Sequence, residues 1–207
     1  MAKNHHDIWD IVDGKSAAYF ELSDTVWDHP ETNYEEYVSS AAHAAMLEAE
    51  GFRVSRGIAG LPTAVMGEAG DEGPVIAILG EFDALPGLSQ IAGIAEEQPI
   101  EAGGHGHGCG HNLLGAGSLL AAAAVKQYLK THGIKGRVRY YGCPAEEGGS
   151  AKGFMVREGL FGIRHLSRAS MTPCRWPATK LAFISPVARL MPLPLPIWGA
   201  VLSTPLS

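Results

Sequence analysis

Between residues 105 and 111 the chain reads His-Gly-His-Gly-Cys-Gly-His, so that imidazoles and a thiol recur at every second position. Imidazole and thiolate are the donors that zinc and similar divalent ions favour. The intervening glycines let the backbone fold tightly enough for neighbouring donors to face one ion. The same composition also suits a flexible loop that holds no ion. A second cluster, Glu146-Glu147 within PAEEGG, sets two carboxylates side by side. Adjacent carboxylates repel, so burying both requires a cation or a shared proton. One could ligate a metal while the other takes a proton from water; left in solvent, they are two ordinary surface acids. Asp83 in GEFDALPG is either a turn or N-cap aspartate or a carboxylate that orients a metal-bound histidine.

Elements must bring these three clusters together. Apolar residues at mixed three-and-four spacing predict a helix over 8–27, stopped near Asp28-His29-Pro30 because proline disfavours helix in the residue before it. A second helix is expected over 34–50, ended by Gly51. Short strands are expected over 52–55, 63–67 and 75–80; the last, VIAILG, is a continuous apolar run of the kind buried on both faces. A loop rich in Gly, Pro and His fills 81–110, and loops that long are usually functional. A buried helix over 113–129, a strand over 136–141 and a helix over 151–158 follow. Strands alternating with long helices imply a layered α/β domain with a largely parallel sheet. In such sheets ligands bind at the carboxyl ends of strands, and GEFDALPG and PAEEGG each follow an expected strand directly.

The bulk composition narrows the function. The 207 residues are 46% apolar with a net charge of −6, which fits one or two globular domains and argues against nucleic acid or anionic lipid as the main partner. The run LLGAGSLLAAAAV is short for a membrane span, so no membrane partner is expected. MAKNHHDIWD has no apolar run of a secretory leader. The sparse, odd cysteine set, Cys109, Cys143 and Cys174, fits a reducing cytoplasm.

The ordered series WDHPETNYEE, GEFDALPGLSQ, GHGCGHNLLG and YGCPAEEGGSAKGFMVREGLF resembles the aminoacylase/hippuricase type of metallo-amidohydrolase, in particular the branch that cleaves p-aminobenzoyl-glutamate. The resemblance covers roughly residues 8–161, and Asn112 also fits that branch. It implies the N-terminal part of a zinc-exopeptidase-like α/β catalytic domain, which in the family is interrupted by a smaller lid domain that dimerises. It implies two divalent metal ions, zinc or manganese, and a small N-acyl amino acid as substrate. Carried over residue by residue, Cys109, His111 and Glu147 match metal ligands, and Glu146 matches the general base that activates water. Asp83 matches a structural acid, and His107 begins the His-x-Cys-Gly-His pattern. His105 has no counterpart and reads as a loop residue, and Cys143 reads as an inert core thiol.

A complete site of this kind needs two more histidines, yet beyond Glu147 the chain offers only His165, in the unmatched context GIRHLSRAS. The lid is missing as well. The chain therefore reads as an amidohydrolase by descent whose own polypeptide is inactive, or as a non-catalytic metal-binding remnant. A small structural zinc protein is disfavoured, because paired CxxC-like ligands are absent.

Residues 1–162 are read as the partial catalytic domain and 163–207 as a poorly ordered tail translated out of frame. No acidic residue follows Glu158, and seven prolines fall within 170–207. Met191 to Pro205 can be back-translated so that reading from the last base of a Leu190 codon gives HAAAAAHLGRSALDA. Leu181 to Leu190 similarly allows GFHFTGRAAH. The joined segment resembles the family's entry into the lid domain. The second codon bases are largely fixed by the protein, and Trp198 forces the glycine of HLGR. Sequencing the gene should therefore show that restoring one nucleotide near codon 165 opens a frame encoding that lid segment and the two missing histidines. A restored frame without them overturns the reading.

Overall fold

The computed structural model describes residues 5–161; the expected out-of-frame tail and His165 lie outside the described residues. Helix α1 (His5–Asp28) and helix α2 (Tyr37–Ala49) precede strands β1 (Arg53–Arg56), β2 (Val65–Ala69) and β3 (Val75–Glu81). Helix α3 (His111–Thr131), strand β4 (Arg137–Cys143) and helix α4 (Ala151–Arg157) complete the order.

Helix α1 buries Tyr19, Leu22 and Val26, one stripe at three-and-four spacing. It ends at Asp28, immediately before His29-Pro30. Helix α2 begins three residues later than the sequence suggests, because Asn33 and Tyr34 stand at φ 53° and 69°, outside helical space. It turns Ser40, His43, Ala44 and Leu47 inward.

The sheet runs β1-β2-β4-β3. Only β3 and β4 pair in parallel, while β1–β2 and β2–β4 are antiparallel. The expected largely parallel sheet is thus corrected to a mixed one. A parallel pair needs a crossover of a dozen or more residues, and the short 57–64 connection between β1 and β2 cannot supply it. The loop over 82–110 together with α3 does supply it between β3 and β4. The strand buried on both faces is β4, not β3. In the described sheet β3 lies at the edge, with Val75 and Ile76 exposed, whereas Val138, Tyr140, Tyr141 and Cys143 of β4 are buried.

Two cores flank β4. On one face α1, α2 and α3 pack Val26, Leu47 and Leu119 against Val65, Val138 and Tyr140. On the other face Tyr141 and Cys143 meet Leu61, Ala64, Ala151 and Met155 of α4. Helix α3 lies so close to the end of β3 that a Cβ on Gly115 would sit 2.5 Å from the Glu81 carbonyl oxygen and 2.7 Å from His43 Nε2. Any other residue there would push α3 off the strand that carries Glu81.

His43 is fully buried, donates from Nδ1 to the Ser39 carbonyl at 2.8 Å, and packs between Phe82 and Tyr140. Burial pushes its pKa down from 6.5 to about 4, because a charged imidazole has no water there. The unfolded chain then binds a proton that the folded chain refuses. Stability carried by neutral His43 is full above pH 6.5 and is lost as pH falls toward 4. Urea unfolding at a series of pH values should show this loss shrinking by about 3 kcal/mol in His43→Gln. An acid limb identical in both proteins would rule it out.

Candidate metal centre

Parallel pairing of β3 and β4 brings their carboxyl ends to one edge, with Glu81 directly opposite Cys143. The chain leaves β3 through Phe82, Asp83 and Ala84, and leaves β4 through Pro144 into the Glu146-Glu147 loop. Alternate residues of an extended chain share a face, which turns Glu81 and Asp83 to the same side while Phe82 enters the core. The third contributor is the start of α3. Gly110 takes the left-handed conformation at φ 77°, closes the loop, and makes His111 the first helical residue.

Asp83 joins these segments. Its Oδ1 lies 2.8 Å from His111 Nδ1, and its Oδ2 accepts the Glu147 backbone N–H at 2.9 Å. The carboxylate therefore keeps a proton on Nδ1 and aims Nε2 away from it. That Nε2 lies 3.1 Å from Glu81 Oε2 and 3.8 Å from Glu147 Oε1. Donor atoms of Cys109, His111 and Glu147 lie within 4.8 Å of one another, and so do those of Glu81, His111 and Glu146. The predicted Cys109, His111, Glu147, Glu146 and Asp83 thus converge. His107 does not join them: its Nε2–H donates to the Val26 carbonyl at 2.9 Å and ties the loop to the end of α1. His105 is exposed. Cys143 is sealed in the second core, where burial pushes its thiol up to about 12.

Charge dominates the cluster. Burial opposes a proton on His111, but the hydrogen bonds to Asp83 and Glu81 overcome it and raise its pKa to about 10. Burial, followed by the carboxylates of Glu147, Glu146 and Glu81, pushes the Cys109 thiol up to about 11. Lys152 pairs with Glu81 and stands 3.9 Å from Glu146. Neither Glu81 nor Lys152 was among the residues singled out by sequence. Glu81 had a usable signal, since it stands two places before Asp83 at a strand end; Lys152 had none.

The WDHPETNYEE segment acts as a bracket beneath these loops. Glu36 is fully buried and accepts from Thr63 Oγ1 at 2.9 Å and from the backbone N–H groups of Tyr34 and Ala145 at 3.0 Å each. Burial raises its pKa, partly offset by those bonds. The bond to Ala145 holds that residue at φ 49°, a strained value for a side chain with a Cβ, immediately before Glu146. Glu31 caps α2 by accepting from Val38 and Ser39 at 2.9 Å, and its carbonyl receives the Ala84 N–H at 2.8 Å. Tyr34 donates its hydroxyl to the Gly149 carbonyl. One short segment therefore grips both loops.

Removing Glu36 leaves several buried donors without an acceptor. Glu36→Ala should lower unfolding free energy by about 3 kcal/mol or more. It should also speed amide exchange at Ala145 and Glu147 beyond the global effect, as read by hydrogen–deuterium exchange. Local exchange no faster than elsewhere in the chain would contradict the bracket.

The family model for Peptidase family M20/M25/M40 matches residues 77–177. The chain is 49% identical over 161 residues to one of the subunits of p-aminobenzoyl-glutamate hydrolase from Escherichia coli (strain K12), covering 78% of this chain and 34% of that protein. A putative aminohydrolase from methicillin-resistant Staphylococcus aureus shares the fold at TM-score 0.61 and 22% identity, over 76% of this chain and 40% of that one. A dinuclear metal-binding peptidase of the M20 family from Bacillus subtilis superposes at TM-score 0.55 and 28% identity, over 70% of this chain and 40% of that one. The chain spans about a third of the length of the curated relatives it matches. The matched segment contains Asp83, Cys109, His111 and the Glu146-Glu147 pair, the same residues that converge at the strand ends, and on these grounds the chain belongs to peptidase family M20/M25/M40.

Proposed function

We propose that this chain carries part of the centre of a metal-dependent amidohydrolase that cleaves the amide between an acyl group and an amino acid, with p-aminobenzoyl-glutamate as the substrate type. The observation that supports it most directly is the meeting of Cys109, His111 and Glu147 donor atoms within 4.8 Å, with the far side of the imidazole held by Asp83. The name of the Escherichia coli relative supports the substrate class.

The donor set suits a divalent ion. Thiolate, imidazole and carboxylate are the ligands of zinc and its neighbours, and a carboxylate behind the imidazole is the usual support of a metal-bound histidine. Cys109, His111 and Glu147 would hold the ion, zinc or manganese; a second ion is part of the family reading. Bound there, a divalent ion supplies Lewis-acid polarisation and lowers the pKa of water.

The remaining chemistry falls to the chain. Glu146 is the more exposed of the paired acids, at 39% against 26% for Glu147. It is free to take a proton from the attacking water and return it to the leaving amine. Asp83 keeps His111 in one tautomer and anchors the Glu147 backbone, so neither donor drifts when solvent exchanges. His107 serves as a clamp between the loop and α1.

In this reading residues 163–207 are the out-of-frame tail, and this polypeptide is a metal-binding part of the enzyme without turnover of its own. That the Escherichia coli relative is named as a subunit supports assembly of the whole enzyme with further chains; the lid through which the family dimerises is missing in this reading of the chain. Among the described residues no helix is long and apolar enough to cross a membrane. The sparse cysteines support a cytoplasmic site of action.

Purified chain should release no measurable p-aminobenzoate from p-aminobenzoyl-glutamate with zinc or manganese added. A version extended in the restored frame should release it, and Glu146→Gln in that version should lower kcat by roughly 10²–10⁴. Metal-dependent turnover by the unextended chain, or full activity in the Glu146→Gln enzyme, would refute the assignment.

A further inference from the structure

The carboxylates at the centre divide into two sets. Asp83 and Glu147 serve His111 and the loop backbone. Glu81 and Glu146 face Lys152, which is ion-paired to the first and 3.9 Å from the second. The two donor triads share His111, but an imidazole held at Nδ1 by a carboxylate offers a single lone pair, at Nε2, and serves a single ion there. When His111 belongs to the Cys109 and Glu147 position, the other triad keeps only Glu81 and Glu146, and the ammonium already lies between them.

We propose that Lys152 is a positioning residue of the metal centre, a built-in cation that takes the place of a second ion and limits this chain to one tightly held divalent ion. The inference rests on the metal-binding reading of Cys109, His111 and Glu147. Lys152 and Glu81 are no ordinary surface pair, since their side chains are only 35% and 15% exposed. Removing one partner leaves a poorly hydrated charge that must find another cation. Ala151 and Met155, buried on the same helix, seat α4 in the second core and fix where Lys152 enters the cluster. Glu81 gains a role as well: its pairing with Lys152 holds its charge at the centre when an incoming ion takes His111 Nε2 from it.

Cobalt(II) is the probe, bound to the full chain and followed by equilibrium dialysis and absorption. A thiolate-to-cobalt charge-transfer band reports Cys109, and total cobalt reports the number of ions. The wild-type chain should bind one ion with that band. Lys152→Met should keep the band and take up a second ion at least about tenfold more tightly than the wild type does, about 1.4 kcal/mol. Lys152→Arg, which keeps the charge, should remain at one ion, and Glu81→Gln combined with Lys152→Met should return to one. Lys152→Gln serves as the second neutral variant if Lys152→Met disturbs α4. Two equally tight ions in the wild-type chain overturn the proposal. A single ion with an intact band in both neutral variants overturns it too, while leaving the Cys109 position standing. Absence of any thiolate band in the wild type is a different result: it removes the metal-binding reading itself, and this inference with it.

Discussion

The Asp83 carboxylate is the point on which the rest of the site depends. One oxygen meets the His111 ring and the other receives the Glu147 backbone N–H, so a single planar group sets the distance between the start of α3 and the loop after β4. Both contacts lie among groups largely removed from water, with Asp83 2% and His111 4% exposed. Hydrogen bonds to a charged acceptor in such surroundings are worth more than neutral ones in water. Their geometry is also less free to wander, because a buried acceptor left unmade costs its full desolvation. Asp83 can occupy that position only because β3 and β4 run in parallel, and they do so only because the long loop and α3 supply the crossover.

Around this carboxylate the structure gathers charge that water alone would disperse. Glu81, Glu146 and Glu147 share the edge with Asp83, and the compensating cations are the His111 ring and Lys152. Opposite charges at such distances, partly shielded from solvent, couple more strongly than exposed pairs. The cluster is therefore built around positive charge, either carried by the chain or brought to it. Burial first, and then that property, hold the Cys109 thiol protonated: a thiolate there would add to an already negative cluster.

The support for this arrangement comes from a segment with no chemistry of its own. Glu36 is as buried as the core leucines, yet its three accepted hydrogen bonds replace the water it lost. Through Ala145 it holds the backbone in a conformation that alanine disfavours, immediately before the two glutamates that must point into the cluster. Strain of this kind persists only where surrounding bonds over-determine it. Glu31 and Tyr34 grip the neighbouring turns in the same way.

The sequence by itself determined the elements and the chemical character of the site. Periodicity and turn residues located the α-helices and strands of the described residues to within a few residues, since the 3.6 and 2 spacings are local properties of the chain. The types and order of Asp83, Cys109, His111, Glu146 and Glu147 pointed to a metal-dependent hydrolase through their resemblance to a family. Other matters were decided only by tertiary structure. The apolar run of β3 looked like a doubly buried strand, but hydrophobicity does not say which neighbour a strand pairs with, and β4 took the central place. Glu36 reads as a surface acid until Thr63, Tyr34 and Ala145 are brought around it. Glu81 and Lys152 lie far apart in the chain, and nothing local to either sets their pairing. A site made of groups on three separate segments is visible in a sequence only as types and order. The distances that give those groups a function follow from how the sheet and α3 fold the segments onto one edge.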